Sequence, residues 1–302
     1  MPRRLPEGSR PKVGRVQAPF ESDFDWSWTE DGPAWVSPAV DTRRPSLARC
    51  YDFVLGGKDN YDIDREIAAR LCALVPDAAQ TARANRAFVL RAVRVMAQAG
   101  IRQFLDLGCG IPNPNGAAVH EIAREVVPDA RVAYVDRDPI VLAHVRAALD
   151  GQPGLYAALY DLRDAKRVLG DLGLRDVVRL DEPVGIIMGA VLNHVDVSLA
   201  VQVVDHYLSK IVPDSHIAVS VGSAEGTAPE AARALDVVLQ PVVGPVILRT
   251  TAQVEELLDG LDLLPPGIVD VTRWRADGVP GSIRVHAVVG VKRLRTTSRS
   301  TA

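Results

Sequence analysis

The sequence predicts an α/β fold built on a mainly parallel, doubly wound sheet. Three features predict it: short β-branched runs alternate with helical stretches, the first run enters a glycine loop, and an acid ends the second. The first five strands are expected at 103–107, 131–135, 155–159, 184–189 and 216–221. Helices between them show a period near 3.6, with Val119, Ile122 and Val126 on one face and Leu199, Val203 and Tyr207 on another.

The last third breaks the alternation. Thr250 and Gln253 have the spacing of a capping box for a helix running to about 259. Two β-rich runs, 268–274 and 283–291, follow with only a Gly/Pro/Asp turn between them. They are expected to pair antiparallel as a terminal hairpin. Residues 1–45, rich in Pro, Gly and Arg, read as an arm, disordered or loosely docked, carrying Trp26, Trp28 and Trp35. Residues 46–291 form the single domain, and 292–302 a basic tail.

A chain of 302 residues with 47% hydrophobic content suffices for one sizeable core. A net charge of -3 gives no electrostatic footprint for nucleic acid or an anionic membrane, so neither is an expected partner. There is no apolar run of roughly 20 residues and no secretory leader pattern at the start. Cys50, Cys72 and Cys109 are odd in number and far apart, which fits a reduced, cytoplasmic setting better than a disulfide framework. The six histidines have no metal-ligand spacing, and no metal is expected.

The sharpest local motif is Phe104-Leu105-Asp106-Leu107-Gly108-Cys109-Gly110. Gly108 and Gly110 let backbone amides approach a ligand, and the helix that follows offers its positive end. A ligand-free βα turn would use the same glycines. Asp136, in Val135-Asp136-Arg137-Asp138-Pro139, stands where a carboxylate meets ribose hydroxyls, whereas Asp138 before Pro139 suits a helix cap. A dinucleotide would want a third glycine where Asn113 stands, and Pro112 and Pro114 interrupt that turn. Asp106 instead suits a ligand with an ammonium group, which favours S-adenosylmethionine.

After the third strand, Asp161 and Leu162 could meet an adenine amino group and ring face, or could form a solvated loop. The fourth strand ends in Met188-Gly189-Ala190-Val191-Leu192-Asn193-His194. Ala190 leaves room beside a ligand there, and His194 is the candidate general base, with a packed histidine as the alternative. Arg83, Arg86, Arg91 and Arg94 read as a solvated helix face, and Cys109 as a small loop-filling residue rather than a nucleophile.

Further motifs carry a resemblance. Arg49-Cys50-Tyr51-Asp52, Leu55-Gly56-Gly57-Lys58-Asp59-Asn60, Asp64-Arg65 and Arg83-Ala84-Asn85-Arg86-Ala87-Phe88 resemble the N-terminal signature of a group of bacterial class I S-adenosylmethionine-dependent methyltransferases. The likeness continues through the glycine loop, Asp136, His194 and the stretch from Pro266-Gly267 to Trp274-Arg275, covering about residues 46–291. It implies a Rossmann-like sheet of seven strands with the terminal hairpin, and an N-terminal helical segment folded over the cofactor. It also implies that Tyr51, Gly57 and Asn85 line the cofactor pocket, beside Arg137 and the residues named above.

The expected activity is methyl transfer from S-adenosylmethionine to a small-molecule acceptor, under an apolar cover formed by 224–248. A non-catalytic cofactor-binding or regulatory protein and an NAD-dependent oxidoreductase remain the alternatives.

Overall fold

The computed structural model describes residues 42–113 and 116–293, all within one compact unit spanning residues 40–302. The three N-terminal tryptophans and nearly all of the expected arm and tail lie outside the described residues. Lys292, the first residue of that tail, belongs to the last strand, and its ammonium donates to the carbonyls of Leu208 and Ile211.

Three helices open the described chain: α1 (Leu47–Val54), α2 (Asp62–Leu74) and α3 (Ala78–Gln98). The alternating part follows as β1 (Gln103–Leu107), α4 (Val119–Val126), β2 (Arg131–Asp136), α5 (Pro139–Leu149), β3 (Leu155–Leu159), α6 (Ala165–Gly170), α7 (Leu172–Val177), β4 (Gly185–Gly189), α8 (Val197–Lys210) and β5 (His216–Gly222). The chain closes with α9 (Pro229–Val243), α10 (Thr251–Leu257), β6 (Leu261–Leu263), β7 (Val269–Asp270) and β8 (Val285–Lys292). The five expected parallel strands lie within one residue of their predicted ends.

The sheet runs β3-β2-β1-β4-β5-β8-β6, with β7 paired to β8 off that path. β1 to β5 are mutually parallel, and β8 is antiparallel to β5, β6 and β7. Strand alternation sends Phe104, Val132 and Tyr134 to one face, under α3, α4, α5 and α9. Leu105, Leu107, Ala133 and Val135 go to the other, under α6, α7, α8 and α10. Both faces are thus covered, as a parallel sheet requires.

The helix faces follow the predicted period with one exception. Val119 and Ile122 are buried and Val126 packs against them. On α8, Val203 and Tyr207 are buried, but Leu199 is 38% exposed and Ala200 takes the inward position. The apolar face runs through Ala200, Val203, Val204 and Tyr207, one step around the helix from Leu199. The Thr250–Gln253 capping box forms, with each backbone N–H donating to the other's side chain, and α10 ends at Leu257.

The end of the chain corrects the expected hairpin in detail. β8 is long, but its main partner is β5, in register from His216↔Val291 to Gly222↔Val285. The expected 268–274 strand shrinks to the two residues of β7, because the Asp270 carboxylate accepts from both the amide and the hydroxyl of Thr272 and turns the chain away. Trp274 then enters the core edge-on to Phe88, with ring centroids 5.4 Å apart. Leu261–Leu263 supplies an additional edge strand, so among the described residues the expected sheet of seven strands is joined by an eighth. Nor does Arg91 lie free in water: its guanidinium donates to the carbonyls of Val271 and Trp274 and ties α3 to that turn.

Candidate functional site at the carboxyl edge of the parallel strands

The crossover reverses at β1, where β2 leads one way and β4 the other. Ligands of open α/β sheets bind outside the strand ends at such a point. β1 leaves the sheet through Gly108 and Gly110, both in the left-handed region at φ 73° and 67°. The amides of Gly108 and Cys109 both donate to the Val135 carbonyl, which fixes the loop against the end of β2. A Cβ on Gly108 would meet Val191 Cγ1 at 2.3 Å, so close packing demands glycine. A Cβ on Gly110 would meet nothing within 4 Å; glycine there is required by the backbone and leaves open space above the loop.

The two acids of this edge differ. Asp136 ends β2 with one carboxylate oxygen accepting from the Gly110 amide at 3.0 Å and the other from the Asp138 amide at 2.9 Å. Burial raises its pKa, opposed by those two amides. Asp106 is only 4% exposed and, among the described residues, its carboxylate accepts no hydrogen bond. Burial pushes its carboxyl up to about 6, the Arg86 guanidinium pulling down and Asp136 pushing up. Asp138 has the separate job its sequence context predicts, accepting from the Ile140 amide as the cap of α5.

The segment around α1 and the start of α2, the N-terminal cap, buries its acids against partners. Arg49 and Asp64, 3% and 0% exposed, form an ion pair at 2.7 Å. Asp64 also accepts from the amides of Ser46 and Tyr61. The Asp52 carboxylate accepts from the Asp59 amide and the Asn60 side chain. A Cβ on Gly57 would lie 1.9 Å from that carboxylate, so Gly57 makes room for Asp52. The cap reaches the sheet edge twice. Ser46 donates to Asp138 at 2.6 Å, and Tyr51, which donates to the Ala82 carbonyl, accepts from Asn85 at 3.1 Å.

Asn85 in turn accepts from Ser220 at 2.6 Å, and the Ala190 amide donates to the Ser220 hydroxyl and carbonyl. Tyr51, Asn85 and Ala190 are thereby joined in one polar chain across α1, α3, β5 and the end of β4. Ala190 sits at φ 59°, a strained conformation for a residue with a Cβ.

Beyond Ala190, residues Leu192–His194 form a single 3₁₀ turn rather than a strand end. Arg249, 0% exposed, holds that turn by donating to the carbonyls of Leu192 and Val195. Asn193 accepts from the Gly222 amide and from the Ile247 amide through its carbonyl. His194 has its pKa lowered by burial, with the Pro245 backbone opposing, so the ring is neutral at pH 7. Its Nδ1 has no hydrogen-bond partner among the described residues.

Asp161 and Leu162 follow β3 at the same edge. Asp161 is engaged with Arg163 at 2.6 Å and lies 3.8 Å from Arg137, and its pKa is held down mainly by the Arg163 bond. The Leu162 carbonyl accepts from Tyr207. The sequence treated Arg86 as solvated, yet this half-buried side chain donates to the Ala117 carbonyl and its charge acts on Asp106, Tyr51 and Cys109. Only the fold could reveal this, because the way α3 packs against α4, β4 and β5 decides which of its arginines lies in water. Arg249 was missed for the same reason. Burial and the two nearby carboxylates push the Cys109 thiol well up, which disfavours the thiolate.

Strand order, glycine loop and terminal acids define a Rossmann-like fold with a ligand edge suited to a nucleoside bearing an amino-acid end. A buried carboxylate with no hydrogen bond among the described residues, open space above Gly110 and an acid at the end of β2 would suit such a ligand. The family model described as S-adenosyl methyltransferase matches residues 33–294, and the chain belongs to that family. S-adenosylmethionine is therefore its cofactor and methyl transfer its reaction class.

Similar solved structures include the following two. A methyltransferase candidate from Thermobifida fusca YX is 32% identical over 87% of this chain and all of its own, with a TM-score of 0.79. A DUF574-family protein from Streptomyces avermitilis MA-4680 is 36% identical over 84% of this chain and 99% of its own, with the same TM-score. No curated protein matches. Among the described residues no helix is long and apolar enough to cross a membrane, and no group of three or more His, Cys, Asp or Glu could hold a metal ion.

Proposed function

We propose that this methyltransferase acts on a small-molecule acceptor at the carboxyl edge of β1, β2 and β4, with Asp136 holding the ribose hydroxyls and Asp106 the ammonium of the cofactor. Gly108 and Gly110 allow the close approach, and Asp161 and Leu162 flank the adenine beside Arg137. Tyr51, Asn85 and Ala190 form the wall toward the methyl group. Gly57 acts through the cap, by keeping Asp52 and its loop in place. The observation that carries the reading is the Asp106 carboxylate, buried at the loop and accepting no hydrogen bond among the described residues, which a bound ammonium would satisfy.

The cofactor supplies a methyl group on a sulfonium, an electrophile with a neutral leaving group. The chain's part is to orient that group, to exclude water and to present the acceptor in line. For an acceptor bearing O–H or N–H, His194 is the group that takes the proton. Its lowered pKa keeps it in the basic form at neutral pH, and the Arg249-held turn fixes its backbone. α9 and the segment after it cover the acceptor side. Residues 46–291 act as one catalytic domain in the cytoplasm, a setting supported by the free thiols of Cys50, Cys72 and Cys109. Neither fold nor family favours the NAD-dependent or the non-catalytic reading.

Calorimetric titration with S-adenosylhomocysteine, S-adenosylmethionine and NAD tests the cofactor edge. The first two are expected to bind, NAD is not, and Asp136→Ala is expected to abolish binding. Once an acceptor is found by screening, His194→Ala should lower kcat by about 10²- to 10⁴-fold while S-adenosylhomocysteine still binds. An unchanged kcat removes the base role.

A further inference from the structure

Arg249 is wholly buried, yet among the described residues its guanidinium is spent on carbonyls rather than on a carboxylate, and its Nε has no hydrogen-bond partner. A buried guanidinium without an anion costs stability, and burial lowers its pKa. An apolar side chain would fill that space at less cost, and a local rule broken in this way marks functional sites.

Its two bonds grip both ends of the 3₁₀ turn that carries His194. Nη1 donates at 2.8 Å to the carbonyl of Leu192, the first residue of the turn, and Nη2 donates to that of Val195, which follows the last. The planar fork fixes the span between those carbonyls, as a flexible ammonium does not. Asn193, between them, is tied as well: its carboxamide oxygen accepts from the Gly222 amide at 2.9 Å and its carbonyl from the Ile247 amide at 2.7 Å. His194 differs from its neighbours, because its Nδ1 has no hydrogen-bond partner among the described residues. The Arg249 backbone carries the grip to the sheet. Its amide donates to the Gly222 carbonyl at the end of β5, and its carbonyl accepts from the Ala224 amide and from His286 Nε2 on β8. Ile247 and Arg249 also lie in the chain that leaves α9, so the end of the acceptor cover and the turn are bolted together.

We propose that Arg249 is a positioning residue: its fork, anchored on β5 and on the end of the acceptor cover, sets where the His194 ring points. The inference rests on the reading of His194 as the base and adds to it the residue that places the ring. Wholly buried, Arg249 acts through that ring and not on the acceptor.

The test is a pH titration of the His194 ring by NMR, on the full chain labelled in its histidines, with the His194 signal identified as the one that His194→Gln removes. Burial holds the pKa of that ring below its ordinary value, against the Pro245 backbone and with the Arg137 charge lowering it further. Arg249→Lys keeps the charge and loses the fork, so a change that it causes reports placement rather than lost charge. In this variant the His194 midpoint should rise by at least about 0.5, toward the ordinary value near ~6.5, as the ring gains water. S-adenosylhomocysteine affinity, read by calorimetry, should stay within about threefold. Arg249→Gln makes the same comparison if the Lys variant does not fold. With an acceptor from the screen, Arg249→Lys should lower kcat at least about tenfold with little change in KM, and the pH profile of kcat/KM should move with the NMR midpoint.

An unchanged His194 signal and midpoint in folded Arg249→Lys, or a loss of S-adenosylhomocysteine binding in that variant, overturns the positioning role and leaves the base reading in place. Full kcat in His194→Gln overturns the base reading and the positioning role together.

Discussion

The N-terminal cap and the glycine loop both bury carboxylates, and they treat them in opposite ways. In the cap, Asp64 is met by Arg49 and two amides, and Asp52 by an amide and Asn60. At the loop, Asp106 accepts no hydrogen bond among the described residues, and burial pushes its carboxyl up to about 6. A buried charge with a full set of partners fixes one conformation; one without partners costs stability until a ligand arrives. The partners of the cap acids thus fix one local conformation, whereas the loop acid is the one proposed above to receive a ligand.

The largest effect should come from breaking the satisfied side. Asp64→Ala leaves Arg49 buried without its carboxylate and should cost about 3–5 kcal/mol in urea unfolding. A loss below 1 kcal/mol would show that the cap contributes little. Next, Gly57→Ala drives a methyl into an Asp52 carboxylate pinned by Asp59 and Asn60, at a cost of roughly 2 kcal/mol. S-adenosylhomocysteine should then bind more weakly even though Gly57 need not touch it.

The unsatisfied side should respond with the opposite sign. The Asp106 pKa is raised on folding, so its contribution to stability is fully present below about pH 4 and is lost as pH rises through about 6. At pH 8 the ligand-free Asp106→Asn protein should therefore be more stable than the parent by about 2 kcal/mol, with the gap closing as pH falls toward about 4. The same substitution should weaken S-adenosylhomocysteine binding. In the parent, affinity should fall as pH drops below about 6, because the ammonium needs the ionised acid. A pH-independent stability difference between the two proteins would refute the assignment. The smallest change, Ser220→Ala, removes the hydroxyl between Asn85 and Ala190 and should cost about 1 kcal/mol, read as a shift in thermal midpoint.

Much of the geometry of the candidate site was legible in the chain. The glycine loop, Asp106, Asp136 and the Asp138 cap depend on a strand, a turn and a helix that are neighbours in sequence, and their spacing carries the geometry. Gly57 was singled out only by the resemblance, and its close approach to Asp52 was not legible. Leu199 was misplaced because a short apolar pattern fits two adjacent helix faces about equally well.

By itself the sequence determined the alternation of strands and helices, the glycine loop with its acids, and the α10 capping box, all set by local periodicity and turn chemistry. Tertiary structure alone decided that β8 pairs with β5, that Asp270 ends β7 after two residues, and that Arg86 and Arg249 come to the ligand edge. The physical reason is distance along the chain. Pairings between segments many residues apart are selected by the packing of the whole sheet, and a solvated arginine and a buried one look alike until the elements that bury them have been brought together.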